Sequence, residues 1–437
     1  MYGWPLLSVI NEQQLLHPIG RRTRVRPRPQ IMVAILLISA AFPVRFSVPG
    51  VTLATASVFD IVLLSAVLPY IFVLASGRRL PVGPAPLFQL GMGLVALSVA
   101  SLAWTQSSSD TLTGIFSAAE GVFGYLLVVG FLRDAPPSQI VRLLYQWVIL
   151  LLIPAVLLWQ NVPGFLPPST VDPLSGDYIS YFARLSHPFL GRSNNLATLL
   201  VFAIVPLGVW AALRRDRRAG LVALISFAAT LLTFSRGVLL ALVLAVALFA
   251  LFDWTAARPV VSRILIATVP STILLWAALR FNDDVARFLP DRFTAAGSDA
   301  RLQLVESGII QFLDNWILGV GASVGEPVHN TYLQQVVYFG VAGGFFAIGL
   351  FIVAGLSWFT REPPSELRNM RRAVGIAFLA QLLTFVTESS FEGTLLKPLI
   401  WICWGLGAAL VAAFEKESLS PETQDDLRFA GHRRSVN

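Results

Sequence analysis

Residues 219–253 read AGLVALISFAATLLTFSRGVLLALVLAVALFALFD, and the number of times this run crosses a membrane sets the sidedness of everything after it. As one straight helix it would be roughly 50 Å long at 1.5 Å per residue, against a hydrocarbon core of about 30 Å. A single crossing would also carry Arg361, Arg368, Arg371 and Arg372 to the outer side, although short loops rich in Lys and Arg stay cytoplasmic. The run therefore reads as a hairpin of two helices, with Ser235-Arg236-Gly237 as its tip at the outer face.

Working outward, the rest of the chain has the same character. Of 437 residues, 55% are hydrophobic and 13% charged, with mean hydropathy +0.70, whereas soluble domains carry roughly 25% charged residues. A soluble globule is excluded. The apolar runs are continuous rather than alternating, which excludes an outer-membrane barrel. The expected fold is an all-α polytopic integral membrane protein. Its twelve expected crossings are 31–46, 51–76, 84–104, 111–132, 140–160, 194–213, 219–235, 238–253, 261–279, 332–358, 373–390 and 397–414.

Started inside, this order places about 23 of the Lys and Arg residues in the cytoplasm and about 9 outside. Residues 1–30 then form a basic cytoplasmic tail, 31–414 the membrane domain, and 415–437 a second cytoplasmic tail. The net charge of +7 arises largely from such topogenic arginines. Arg21, Arg22, Arg24, Arg26 and Arg28 anchor a retained first helix rather than bind nucleic acid. The lone Cys403 lies in an apolar run, so neither disulfides nor a thiol metal cluster is expected.

Two outer loops exceed a turn, 161–193 and 280–331, and such loops tend to carry sites. In the second, Leu302, Val305, Ile309, Leu313 and Trp316 follow helical spacing. An amphipathic helix on the outer membrane surface is expected, capped by Ser298 and ended by Gly319 and Gly321.

The outer basic residues are few, so each asks for a reason. They include Arg184 and Arg192 in the first loop, Arg236 at the hairpin tip, and Arg280, Arg287, Arg292 and Arg301 in the second loop. Arg236 between two apolar helices is costly without an anion nearby. Of the two outer histidines, His187 and His329, the latter directly precedes a crossing, and its imidazole suits proton abstraction near neutral pH. Asn282-Asp283-Asp284 lacks the spacing of a metal-diphosphate clamp, and no cofactor or metal is expected. Asp60 and Glu120 fall within crossings, where structural pairing is the first reading. Glu388 and Glu392, with Lys397, cluster at the outer end of the last hairpin, where a plain salt bridge is the simplest reading.

The order of Arg301, the amphipathic helix, Trp316, Leu318-Gly319-Val320-Gly321 and His329-Asn330-Thr331-Tyr332-Leu333, between the ninth and tenth crossings, resembles the O-antigen ligase and polysaccharide polymerase superfamily. The stretch from Arg184-Leu185-Ser186 through Ser193-Asn194-Asn195, and the turn Phe234-Ser235-Arg236-Gly237, look like that family's outer loop and Ser-Arg-Gly turn. The loop 280–331 is compact for a ligase.

The resemblance implies inverting, metal-independent glycosyl transfer at the periplasmic face of the bacterial inner membrane, with both termini cytoplasmic. The donor would be an undecaprenyl-diphosphate-linked glycan. The acceptor would be the lipid A core or another lipid-linked glycan. Diphosphate leaves readily, so cations suffice to stabilise its charge. His329, Arg301 and Arg236 are the expected catalytic residues, and Arg184, Asn330, Asn194 and Arg192 the expected substrate-binding ones. Membrane lipids are the other expected partner. The competing class is a transporter or flippase of lipid-linked oligosaccharide, which would be expected to carry charges through its midplane.

Overall fold

The computed structural model describes residues 29–41, 45–47, 55–75, 85–160, 184–188, 193–252, 296–322, 330–359, 365–387 and 398–418. It also describes isolated residues between these, among them Ile266, Pro270 and Val328. These contain α1 (Pro29–Ala41), α2 (Val58–Ala75), α3 (Ala85–Ala100), α4 (Ser108–Leu132), α5 (Pro137–Trp159) and α6 (Ser193–Arg214). They continue with α7 (Arg217–Leu232), α8 (Arg236–Phe252), α9 (Ala296–Asp314), α10 (Thr331–Phe359), α11 (Ser365–Thr387) and α12 (Pro398–Ser418). An antiparallel pair of three-residue strands, β1 (Arg45–Ser47) and β2 (Thr55–Ser57), joins α1 to α2, with Arg45 opposite Ser57.

Six helices, namely α3 with its 3-10 extension, α4, α5, α6, α10 and α12, are long and apolar enough to cross a membrane. Elsewhere the surface carries large apolar side chains. Leu240, Val243, Leu244 and Leu248 on α8 are exposed, a surface that invites aggregation in water but that lipid tails solvate as well as protein would. The chain is a helical membrane protein.

Eleven of the twelve expected crossings coincide with described helices, and the twelfth helix, α9, is the expected amphipathic one. The ninth crossing, 261–279, falls mostly outside the described residues. Three expectations need correction. Residues 55–57 do not belong to a crossing, because Thr55–Ser57 pairs as a strand and α2 starts at Val58. Asp60 is thereby in the first turn of α2, where the helix dipole favours a carboxylate, instead of deep in a span. Ser298 does not cap α9, which starts two residues earlier at Ala296.

The third correction concerns 332–358, which is not one straight helix. Gly340 has φ 59° and ψ −141°, a left-handed φ that favours glycine. The chain folds back there. In a straight helix Tyr332 and Phe351 would be about 28 Å apart, yet their rings lie 5.2 Å apart. A side chain at Gly340 would strike the carbonyls of Trp316 and Ile317, and the Val341 amide donates to Trp316 O at 2.9 Å. The segment after α9 therefore wedges into the corner, with Val320 N donating to Val337 O and Gly321 N to Tyr338 O. Residues 341–359 alone are long enough to span.

Close packing, the main adhesive between helices in lipid, centres on α12. The Trp401 ring occupies space that a side chain at Gly91 or Gly121 would need, which draws α3 and α4 against it. Trp404 lies 4.9 Å from Trp401 and 4.6 Å from Phe378 between ring centroids. Its Nε1 donates to Gln381 Oε1, and Gln381 Nε2 donates to Thr198 O, both at 2.9 Å. α6, α11 and α12 are thus joined by a satisfied polar relay.

The bundle has two chemically distinct ends. Ion pairs Arg214–Glu417, Arg371–Glu415 and Lys416–Asp134, at 2.9, 3.0 and 2.7 Å, gather the ends of α4, α6 and α12 and the start of α11. This is the basic end. The start of α6, the turn between α7 and α8 and the finish of α11 form the opposite end.

Candidate functional site

At the opposite end, helix termini leave backbone carbonyls without intrahelical partners, and the connection from α5 to α6 uses them. Leu185 N donates to Leu232 O at 3.0 Å. Arg184, only 5% exposed, donates through Nε to Thr233 O at 2.7 Å and through an η nitrogen to Asn194 Oδ1. One guanidinium therefore ties the first outer loop, the start of α6 and the end of α7. Phe234, with φ 50°, turns the chain left-handed, and α8 begins at Arg236, whose side chain is exposed. A cation at the first position of a helix opposes the dipole, and an anion held there would relieve that conflict.

His187 lies in the same connection but is fully buried. Burial lowers its pKa to about 4, against a smaller opposing effect of its hydrogen bond with the Leu150 backbone. It is a neutral packing imidazole.

Asn330 stands on the far side of α11. Its Oδ1 accepts from Tyr332 N at 2.9 Å and Leu333 N at 3.0 Å, capping α10. Its Nδ2 donates to Val386 O at 3.1 Å. Tyr332 Oη donates to Leu382 O at 2.7 Å, and Val328 N donates to Gln334 Oε1 at 2.6 Å. His329 itself, with Arg192, lies outside the described residues. Its two neighbours are pinned on either side.

Arg301 falls in the second turn of α9, and its side chain is outside the described residues. On the same helix Leu302, Ile309 and Leu313, with Trp316 beyond its end, are all exposed. Gly308 leans on Val328 and Leu333. The apolar stripe thus faces away from the protein, as a helix lying on lipid requires.

Of the seven residues singled out by sequence, Arg184 and Asn194 touch directly. Arg236 follows the Thr233 carbonyl that Arg184 holds. Asn330 is linked to them through α11, because Gln381 bonds to Thr198, one turn from Asn194, and the next residue, Leu382, accepts from Tyr332 Oη. Sequence reasoning passed over Thr233, Thr198, Gln334 and Gln381. The glutamines left a signal, since an amide in an apolar run is costly unless it has a partner. The Thr233 carbonyl left none.

These features define a polytopic helical membrane protein whose described candidate residues Arg184, Asn194, Arg236 and Asn330 gather at the end opposite its ion-paired, arginine-rich one. No known protein-family model matches the chain, and no curated protein matches it significantly.

Proposed function

We propose that the chain is a membrane glycosyltransferase that moves a glycan from an undecaprenyl-diphosphate carrier to a sugar hydroxyl at the periplasmic face of the bacterial inner membrane. The observation that carries this reading is the junction at Arg184, where one buried guanidinium gathers Asn194 and the turn leading into Arg236 at the end away from the basic residues. The motif resemblance to O-antigen ligases and polysaccharide polymerases supports the same reading.

In this mechanism Arg236 and Arg301 bind the donor diphosphate through planar forks matched to phosphate oxygens. Arg184 holds the turn that presents Arg236, with Arg192 and Asn194 beside it. His329 removes the proton from the acceptor hydroxyl. That oxygen attacks the anomeric carbon from the face opposite the diphosphate, the carbon–oxygen bond to phosphate breaks, and the configuration inverts. The departing carrier diphosphate keeps the bonding electron pair, and the arginines stabilise its charge. Asn330 keeps the His329 backbone in place by capping α10.

The test supplies purified protein with a lipid-diphosphate glycan and either lipid A core or a second lipid-linked unit. Formation of a new glycosidic bond, unaffected by a chelator and impaired in Arg236→Lys, is the expected result. Movement of the lipid-linked glycan across the bilayer without bond formation would make the chain a flippase.

A further inference from the structure

A cavity of about 460 Å³ opens at the basic end between α6 and α7, within the range of small-ligand sites, about 300–1,000 Å³. It extends from the Arg215-Asp216-Arg217 turn down to Ile204. Eleven helical residues make that about 16 Å, close to half of a 30 Å hydrocarbon core. Its walls are Ile204, Gly208, Ala211 and Phe227, closed by Ile266 and Pro270 from the segment of the ninth expected crossing. A methyl group built on Gly208 would meet nothing within 4 Å, so the space there is open.

The mouth is positive. Asp216 Oδ1 accepts from the amides of Arg218 and Ala219, capping α7, and its Oδ2 accepts from Tyr145 Oη and Trp210 Nε1. Arg214 is paired with Glu417 and Glu366. Among the described residues neither Arg215 nor Arg217 forms a salt bridge, and both are exposed. Arg215 also has φ 53°, a left-handed position just after α6 where glycine is the ordinary choice. Arginine there carries backbone strain that glycine would not.

We propose that this cavity holds an acyl chain of an anionic phospholipid from the leaflet at the basic end, with the lipid phosphate on Arg215 and Arg217. An apolar slot one leaflet deep beneath two cations matches such a lipid at both of its ends. The site is independent of the glycosyl-transfer reading.

The test uses the full chain in detergent, with dioleoyl phosphatidylglycerol as the probe, read by native mass spectrometry and by the shift in Tm. Dioleoyl phosphatidylcholine and inorganic phosphate are the comparison arms. One phosphatidylglycerol per chain is expected, binding at least tenfold more tightly than phosphatidylcholine, with no shift from inorganic phosphate. Gly208→Leu should fill the slot and remove the bound lipid. Arg215→Gly should raise Tm by relieving the left-handed strain, yet weaken phosphatidylglycerol binding about tenfold. Arg215→Gly with raised Tm and unchanged lipid binding would overturn the proposal, as would equal binding of phosphatidylcholine or a full shift from phosphate alone. Should Gly208→Leu fail to fold, the Arg215→Gly pair of readouts decides alone.

Discussion

Arg184, in the loop before α6, and Arg214, at the end of α6, are both arginines that tie helix ends together, yet the bundle treats them oppositely. Arg214 is 36% exposed, pairs with carboxylates of Glu417 and Glu366, and lies 5.8 Å from the centroid of Trp210 and 5.6 Å from that of Phe414. Arg184 is buried and donates to two neutral oxygens, a backbone carbonyl and an amide. An exposed ion pair is screened, and water replaces it at little cost. A buried donor leaves behind acceptors that water cannot reach. The Arg214 pairs at the basic end are therefore replaceable contacts, whereas the Arg184 junction at the opposite end fixes geometry.

That contrast can be broken or sharpened by experiment. The largest effect is expected from His329→Ala, which should lower turnover by roughly 10² to 10⁴, while the protein still inserts and binds donor and Arg214→Ala leaves turnover intact. Loss of donor binding with unchanged rate per bound donor would transfer His329 to the phosphate site.

Next comes the pH response of His187. Its folded pKa of about 4 lies below the ordinary value near 6.5, so the native state binds fewer protons than the unfolded one. Stability should be fully present above about pH 6.5 and fall towards pH 4 by about 3 kcal/mol. Thermal melts of wild type and His187→Leu across that range check this, and parallel curves would refute it.

Arg184→Ala should cost about 2 kcal/mol by leaving Thr233 O and Asn194 Oδ1 without this donor. Arg184→Lys should recover only part, because one ammonium cannot span both acceptors. Asn330→Ala should cost about 1 kcal/mol through loss of the α10 cap, with Asn330→Asp restoring most of it. Arg214→Gln should cost at most about 1 kcal/mol, and less as salt is raised. Chemical denaturation in detergent ranks the three, and a cost for Arg214→Gln equal to that for Arg184→Ala would erase the distinction between the ends.

The amino-acid sequence alone determined the helical membrane class, the hairpin at Ser235-Arg236-Gly237, the amphipathic α9 and most helix limits. Each of these depends on neighbours along the chain: the length of an apolar run against bilayer thickness, the period of a stripe, the sign of a loop. Arg184 and Asn194 were legible as candidates because a cation and an amide stood out beside apolar runs. Tertiary structure alone decided that they touch, that Thr233 O receives the guanidinium, and that Gln381 links α6 to α12. It also decided that α10 folds back at Gly340 and that a lipid-sized cavity opens beneath Arg215. A backbone carbonyl carries no mark of its partner in the residue code, and a glycine does not announce which chain presses against it. Such contacts join residues tens of positions apart, and only the packed bundle brings them together.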